Sequence, residues 1–224
     1  MSLRLSRTCF VHIPRTGGLW LGEVVRVLGL RCQVFKGDID SHLEWSQLPD
    51  NWKALTAFSF VRHPLAWLKS RWSHALEINA CPDYRHYGVH RLFDECVRPT
   101  LTDTVRVILD RCPGLVTHTY TRMLDGVSYL ARTEDLPEAA WQILYHLEGV
   151  SEQSRSQVLS IPPINSTTTL LHWRDKICTL PDSLVQAFLD SEQQAISWWD
   201  RAVGSYQQPV PIIINQGVNH ANHS

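Results

Sequence analysis

Two short cationic turns carry the chemistry-bearing residues of this chain. The first lies in Phe10-Val11-His12-Ile13-Pro14-Arg15-Thr16-Gly17-Gly18-Leu19-Trp20, the second in Phe58-Ser59-Phe60-Val61-Arg62-His63-Pro64, with Ser70 eight residues after Arg62. Each follows an apolar run and leads into a helical pattern. A strand that ends in such a turn aims backbone N–H groups and a helix N-terminus at one point, and a nearby cation completes an anion site. Two such units in 224 residues suit a ligand with phosphate groups at both ends, which points to a nucleotide-like molecule. The first turn has Pro-Arg-Thr-Gly-Gly where a Walker loop has its spaced glycines and Lys-Ser/Thr, so kinase-like use of ATP or GTP is disfavoured.

The elements that must hold these turns are legible from periodicity. Thr8 to Ile13 reads as a buried strand, and the segment from Gly17-Gly18 to about Gly29 as a helix. Ala54 to Val61 reads as a second strand, followed by a helix over Leu65 to Leu76. Between them, Lys36 to Asn51 is polar and irregular. Further helices are predicted over Thr102 to Arg111 (stopped by Pro113-Gly114), Pro137 to Glu148 and Leu180 to Trp199, with a strand over Val127 to Ala131. Asn79 to His90 reads as a loop or lid, and the Gln-, Pro- and Asn-rich tail after Gly204 as an edge or frayed end. No repeat or linker divides the chain, so a single domain over 1–224 is expected.

The totals narrow the function classes. Net charge is −1, which argues against nucleic acid as the main partner. Among 21 basic residues only Lys36, Lys53, Lys69 and Lys176 are lysines, and arginine's planar fork suits phosphate and sulfate, although codon bias produces the same skew. The six cysteines show no CxxC spacing, and the eleven histidines show no HExxH or His-Cys pattern, so no metal site is expected. The N-terminal residues lack a signal-peptide core and no transmembrane-length run follows, so a cytoplasmic protein without membrane contact is expected.

The two turns together resemble those of the sulfotransferases that use 3′-phosphoadenosine 5′-phosphosulfate (PAPS). That family opens on a strand and a Pro-Lys-x-Gly-[TGS]-[TS] loop for the 5′-phosphosulfate; Pro14, Arg15, Thr16, Gly17 and Gly18 match it, with Arg15 in place of lysine. Its second motif, an arginine and a serine eight residues on, grips the 3′-phosphate and is matched by Arg62, Pro64 and Ser70. Ser41-His42-Leu43-Glu44, Leu48-Pro49 and Trp52 resemble the segment whose histidine is the family's general base, and Tyr129 to Leu136 resembles its Arg-x-Glu-Asp-Leu segment. The likeness runs from about residue 8 to residue 136 and thins through Asn165-Ser166.

The resemblance implies a P-loop-like α/β fold: a three-layer sandwich with a central, mainly parallel sheet flanked by helices. It implies Arg15 and His42 as catalytic residues. The donor would be held by Arg15, Thr16, Gly17, Gly18, Leu19, Trp20, Arg62 and Ser70, with Trp20 stacking on adenine. Sulfuryl transfer from PAPS needs a fixed cation and N–H dipoles where charge builds on the leaving phosphate, and a base near neutral pKa for the acceptor. Glu44 and Glu23 are alternative bases, His42 has the alternative of a surface loop residue, and Trp20 that of a core residue. Three departures stand out. Gly18 and Leu19 replace loop hydroxyls, Asp40 replaces a lysine (with Lys36 or Lys53 as possible substitutes), and only Arg174 and Lys176 offer themselves as a C-terminal clamp. The acceptor is read as a small molecule or carbohydrate, with the lid and Trp45, Trp52, Trp67 and Trp72 as pocket candidates. The competing reading is a non-catalytic PAPS- or nucleotide-binding protein.

Overall fold

Apolar side chains alternating across short strands divide this protein into two hydrophobic clusters separated by a sheet. Successive strand residues point to opposite faces. Cys9, Val11, Ala57 and Val61 accordingly enter one cluster, while Phe10, Phe58, Phe60 and Ala131 enter the other. The computed structural model describes residues 2–35, 42–79, 91–164 and 179–202. The expected lid, the tail after Gly204, Asp40, Lys36, Asn165-Ser166, Arg174 and Lys176 lie outside the described residues, apart from the helix end at Asn79.

The sheet has five strands, β1 (Ser2–Arg4), β2 (Thr8–Phe10), β3 (Gln33–Phe35), β4 (Thr56–Val61) and β5 (Tyr129–Arg132), in the spatial order β3-β1-β2-β4-β5. Only the β2–β4 and β4–β5 ladders are parallel; β1 pairs antiparallel with both β2 and β3. The sheet is therefore mixed, and the expectation of a mainly parallel one is corrected. The cause is local. Ser2 to Phe10 folds back as a hairpin closed by the Leu5 N–H donating to the Thr8 carbonyl (2.9 Å), which inserts β1 between β2 and β3. That turn is clamped by Glu148, which accepts from the Arg7 N–H (3.0 Å) and the Thr8 hydroxyl (2.5 Å).

Helices flank the sheet. One cluster is completed by α1 (Gly18–Val27), whose buried Trp20, Leu21, Val24 and Val25 form a stripe at helical spacing. The other contains residues from α2 (Asp50–Lys53), α3 (Pro64–Asn79), α4 (Arg91–Cys96), α5 (Leu101–Arg111) and α6 (Leu115–Leu124). Beyond β5 come α7 (Glu138–Ile143), which runs into a π-type turn over Leu144–Glu148, and α8 (Arg155–Leu159). The helix expected over 180–199 is two, α9 (Asp182–Ser191) and α10 (Gln193–Arg201). The break is at Glu192, where φ −112° and ψ 23° leave the helical region. Its fully buried carboxylate accepts from the Val116 N–H (2.9 Å), the Thr117 N–H (2.8 Å) and the Thr117 hydroxyl (2.8 Å), capping α6.

Candidate functional site

The parallel strands β2, β4 and β5 run in one direction and release their chains at the same sheet edge, where open α/β sheets place ligands. The first chain to leave is the Val11–Gly17 turn. Arg15 adopts the left-handed region (φ 67°), uncommon for a side chain with a Cβ, and Gly17 follows at φ 95° as the N-cap of α1. The backbone angle requires glycine there, and a Cβ would also lie 2.8 Å from Leu136 Cδ1, at the tip of a flexible side chain that would have to shift. The turn is pinned from three sides. The Thr16 hydroxyl donates to the Ile13 carbonyl (2.7 Å), the Trp67 indole to the Pro14 carbonyl (2.8 Å), and the Thr133 hydroxyl lies 3.2 Å from the carbonyls of Thr16 and Val61. Thr16 is fully buried and its hydroxyl proton is committed to the turn.

The second turn is held as firmly. The Tyr120 hydroxyl donates to the Arg62 carbonyl (2.8 Å) and accepts from the Arg62 N–H (3.2 Å), fixing the end of β4 through α6. Glu134 accepts from the His63 N–H (3.1 Å) and the Trp199 indole (3.1 Å), and its carboxylate lies 4.0 Å from Arg62 Nε. That Nε is buried and has no hydrogen-bond partner among the described residues. Arg132 lies over the Trp199 ring at 3.7 Å and donates to the Trp199 carbonyl (2.8 Å), which docks the end of α10 beside the turn. Burial holds the His63 imidazole below the ordinary histidine pKa; Glu134 and Asp200 pull it upward and Arg132 pushes it down, without reversing the effect.

Arg15 joins the two turns. Its Nε donates to Ser70 Oγ at 3.1 Å, across 55 residues of sequence, so residues of both motifs meet directly. Ser70 sits in the second turn of α3, is buried, and is aimed at the first loop rather than at solvent.

On the other flank, the His42 ring packs against His12, with centroids 4.8 Å apart at an interplanar angle of 48°. His12 is buried, stacks on Phe10 (5.8 Å, 25°) and fills the space over Gly18, where a Cβ would lie 2.2 Å from its ring. A side chain at position 18 would therefore collide with the His12 imidazole. His12 was not singled out from the sequence, since one histidine in an apolar run gives no signal until a second ring is brought to it.

The alternative bases are occupied elsewhere. Glu44 is buried in an ion pair with Arg122 and caps the short 3-10 turn Trp45–Gln47. Glu23 forms an exposed pair with Arg26, which holds its carboxyl below the usual range. Lys53 donates to the Ser46 carbonyl (2.9 Å). Trp20 is buried in the α1 cluster with its indole donating to the Ile161 carbonyl (3.3 Å), the core reading of that residue, while Leu19 is exposed at the start of α1. Trp52, Trp67 and Trp72 are core residues and Trp45 packs under Gly126, so these side chains form core, not an acceptor pocket. Among the described residues, no group of three or more His, Cys, Asp or Glu side chains is arranged to hold a metal, and no helix is long and apolar enough to cross a membrane.

No protein-family model matches the chain, and neither a curated protein nor a solved structure matches it.

Proposed function

We propose that this protein is a sulfotransferase that moves a sulfuryl group from PAPS to a hydroxyl or amine of a small-molecule or carbohydrate acceptor, on a P-loop-like three-layer framework. The observation that carries the reading is the Arg15–Ser70 hydrogen bond at the exit of two parallel strands, because it brings side chains of the two sequence-distant cationic turns into contact. Three features of the chain fit the donor. Arg15 and the Gly17–Gly18 entry to α1 suit the 5′ end; Ser70 and the buried Arg62 Nε, which has no hydrogen-bond partner among the described residues, suit the 3′-phosphate; the absence of a Walker lysine fits a nucleotide other than ATP.

The donor supplies an activated sulfuryl group attached to a good leaving phosphate. Arg15 sets a permanent cation and a fork of N–H donors beside the first loop, where negative charge on a leaving oxygen is stabilised without rearrangement. An αL residue such as Arg15 is the kind of backbone that can turn neighbouring N–H groups toward an anion. His42, half-buried next to the loop, accepts the acceptor's proton at a ring nitrogen. Trp20 contributes by seating α1 through its packing.

Calorimetric titration with 3′-phosphoadenosine 5′-phosphate (PAP), against ATP and AMP, tests the reading. Binding that requires the 3′-phosphate supports it; no PAP binding, or equal binding of ATP, overturns it. The non-catalytic alternative is separated by turnover of labelled PAPS, which a binding protein lacks.

A further inference from the structure

The phosphate loop and the base of the proposed reaction are joined by a side chain to which the proposed function gives no role. His12 lies two residues beyond the last paired position of β2, buried between the Phe10 ring, the bare backbone of Gly18 and the His42 ring. Its surroundings leave it little rotational freedom. The stacked Phe10 ring is on one side, and the Gly18 Cα is so close that one added carbon would fall within 2.3 Å of both its Cδ2 and Nε2. His42, by contrast, stands just before the 3-10 turn, in a stretch without regular structure, where the backbone alone does not fix a side chain. A ring held by the sheet and the loop therefore meets a ring that needs a fixed orientation.

We propose that His12 is a positioning residue: its imidazole holds the His42 ring in a single orientation relative to the Arg15 loop, and Gly18 lacks a side chain because that imidazole must fit there. The inference rests on the sulfuryl-transfer reading for its consequence in turnover, but not for the ring contact itself. Misorienting a reacting group by about 1 Å costs about 100-fold in rate, so losing the supporting ring should appear in kcat and not in donor affinity.

Two variants separate the ring from the volume it fills. His12→Leu keeps an apolar side chain and removes the planar ring; His12→Phe keeps a ring. In the full chain labelled with 15N-histidine, the His42 imidazole signals, assigned with His42→Ala, should form one set in the wild type and in His12→Phe. In His12→Leu they should broaden or split. With PAPS and water as the acceptor, His12→Leu should release sulfate about 10-fold or more slowly, with PAP affinity within about threefold of wild type, and His12→Phe should recover most of the rate. Adding His12→Leu to His42→Ala should cost nothing further, since two residues acting as a unit are not additive. Unchanged His42 signals in His12→Leu, or a full additive loss in the double variant, would overturn the proposal. If the wild type bound no PAP, the function reading would fall alone, and the imidazole spectra would still decide the role of His12.

Discussion

Arg15 shows at residue scale how function and stability oppose each other. A side chain with a Cβ in the left-handed region costs about 1–2 kcal/mol, and the native chain carries that cost in the loop proposed to bind the donor. Arg15→Gly should relieve the strain and raise the melting temperature by about 2–4 °C for each kcal/mol recovered. The same variant should weaken PAP binding about tenfold or more, since a charge-assisted hydrogen bond contributes about 1.5–3 kcal/mol. Differential scanning calorimetry and titration on one sample check both signs; a variant that lost stability and kept affinity would remove Arg15 from the site. Gly18→Ala belongs to the same scale. With its new carbon inside the His12 ring, it should cost about 1–3 kcal/mol through overpacking, measured by urea unfolding. Cys9, whose thiol burial raises to about 12, should resist alkylation in the folded protein while the exposed Cys32 reacts.

At the scale of elements, α6 shows a helix that depends on its neighbours. Its residues LVTHTYTRML include three threonines, which lose rotamer freedom in helices, and it has no side-chain cap of its own. Tertiary contacts compensate. Leu115, Val116, Thr119, Tyr120, Met123 and Leu124 form a buried stripe, and Glu192 from the α9–α10 break serves as the missing cap. Burial raises the Glu192 pKa even though three hydrogen bonds to its carboxylate pull it down. Glu192→Ala leaves two amide donors of α6 without their acceptor and should destabilise the fold by about 1–3 kcal/mol. It should also loosen the Tyr120 clamp on Arg62, so PAP affinity should fall with stability. Chemical denaturation and titration of the same variant test the link; loss of stability with unchanged affinity would separate the cap from the site.

Across the whole molecule, three strand ends and α10 meet at one edge, and the packing there sets a pH dependence. His63 is depressed below the ordinary histidine pKa of about 6.5. Between that lowered pKa and about 6.5 the unfolded chain binds more protons than the folded one, so stability rises with pH through this window and is lost as pH falls through it. His63→Gln should flatten that part of the stability–pH curve, measured by thermal unfolding from pH 5 to pH 8. An undiminished slope would assign the titration to another group. The His63 and Trp199 rings meet edge to face at 5.0 Å, so the docking of α10 should weaken in the same pH range.

The sequence by itself determined the two cationic turns, the strands before them and the helices after them. Each is a local pattern: an apolar run at strand length, a Pro, Arg or Gly that dictates backbone angles, and a helical stripe beginning at Gly18 or Pro64. Ser70 was picked out by its spacing from Arg62, which matches the motif of the family the chain resembles. What periodicity could not carry was pairing between distant segments. The β1 hairpin that makes the sheet mixed rests on three-residue strands, too short for alternation to register. The break at Glu192 follows from an α6 cap 75 residues earlier, and the unlikely helix α6 from the core it covers. Trp20, Trp52, Trp67 and Trp72 read equally as platforms or core, and only packing made them core. The meeting of Arg15 with Ser70 and of His12 with His42 was likewise decided by tertiary structure. Side chains more than fifty or about thirty residues apart are brought within reach only when the parallel strands align their ends.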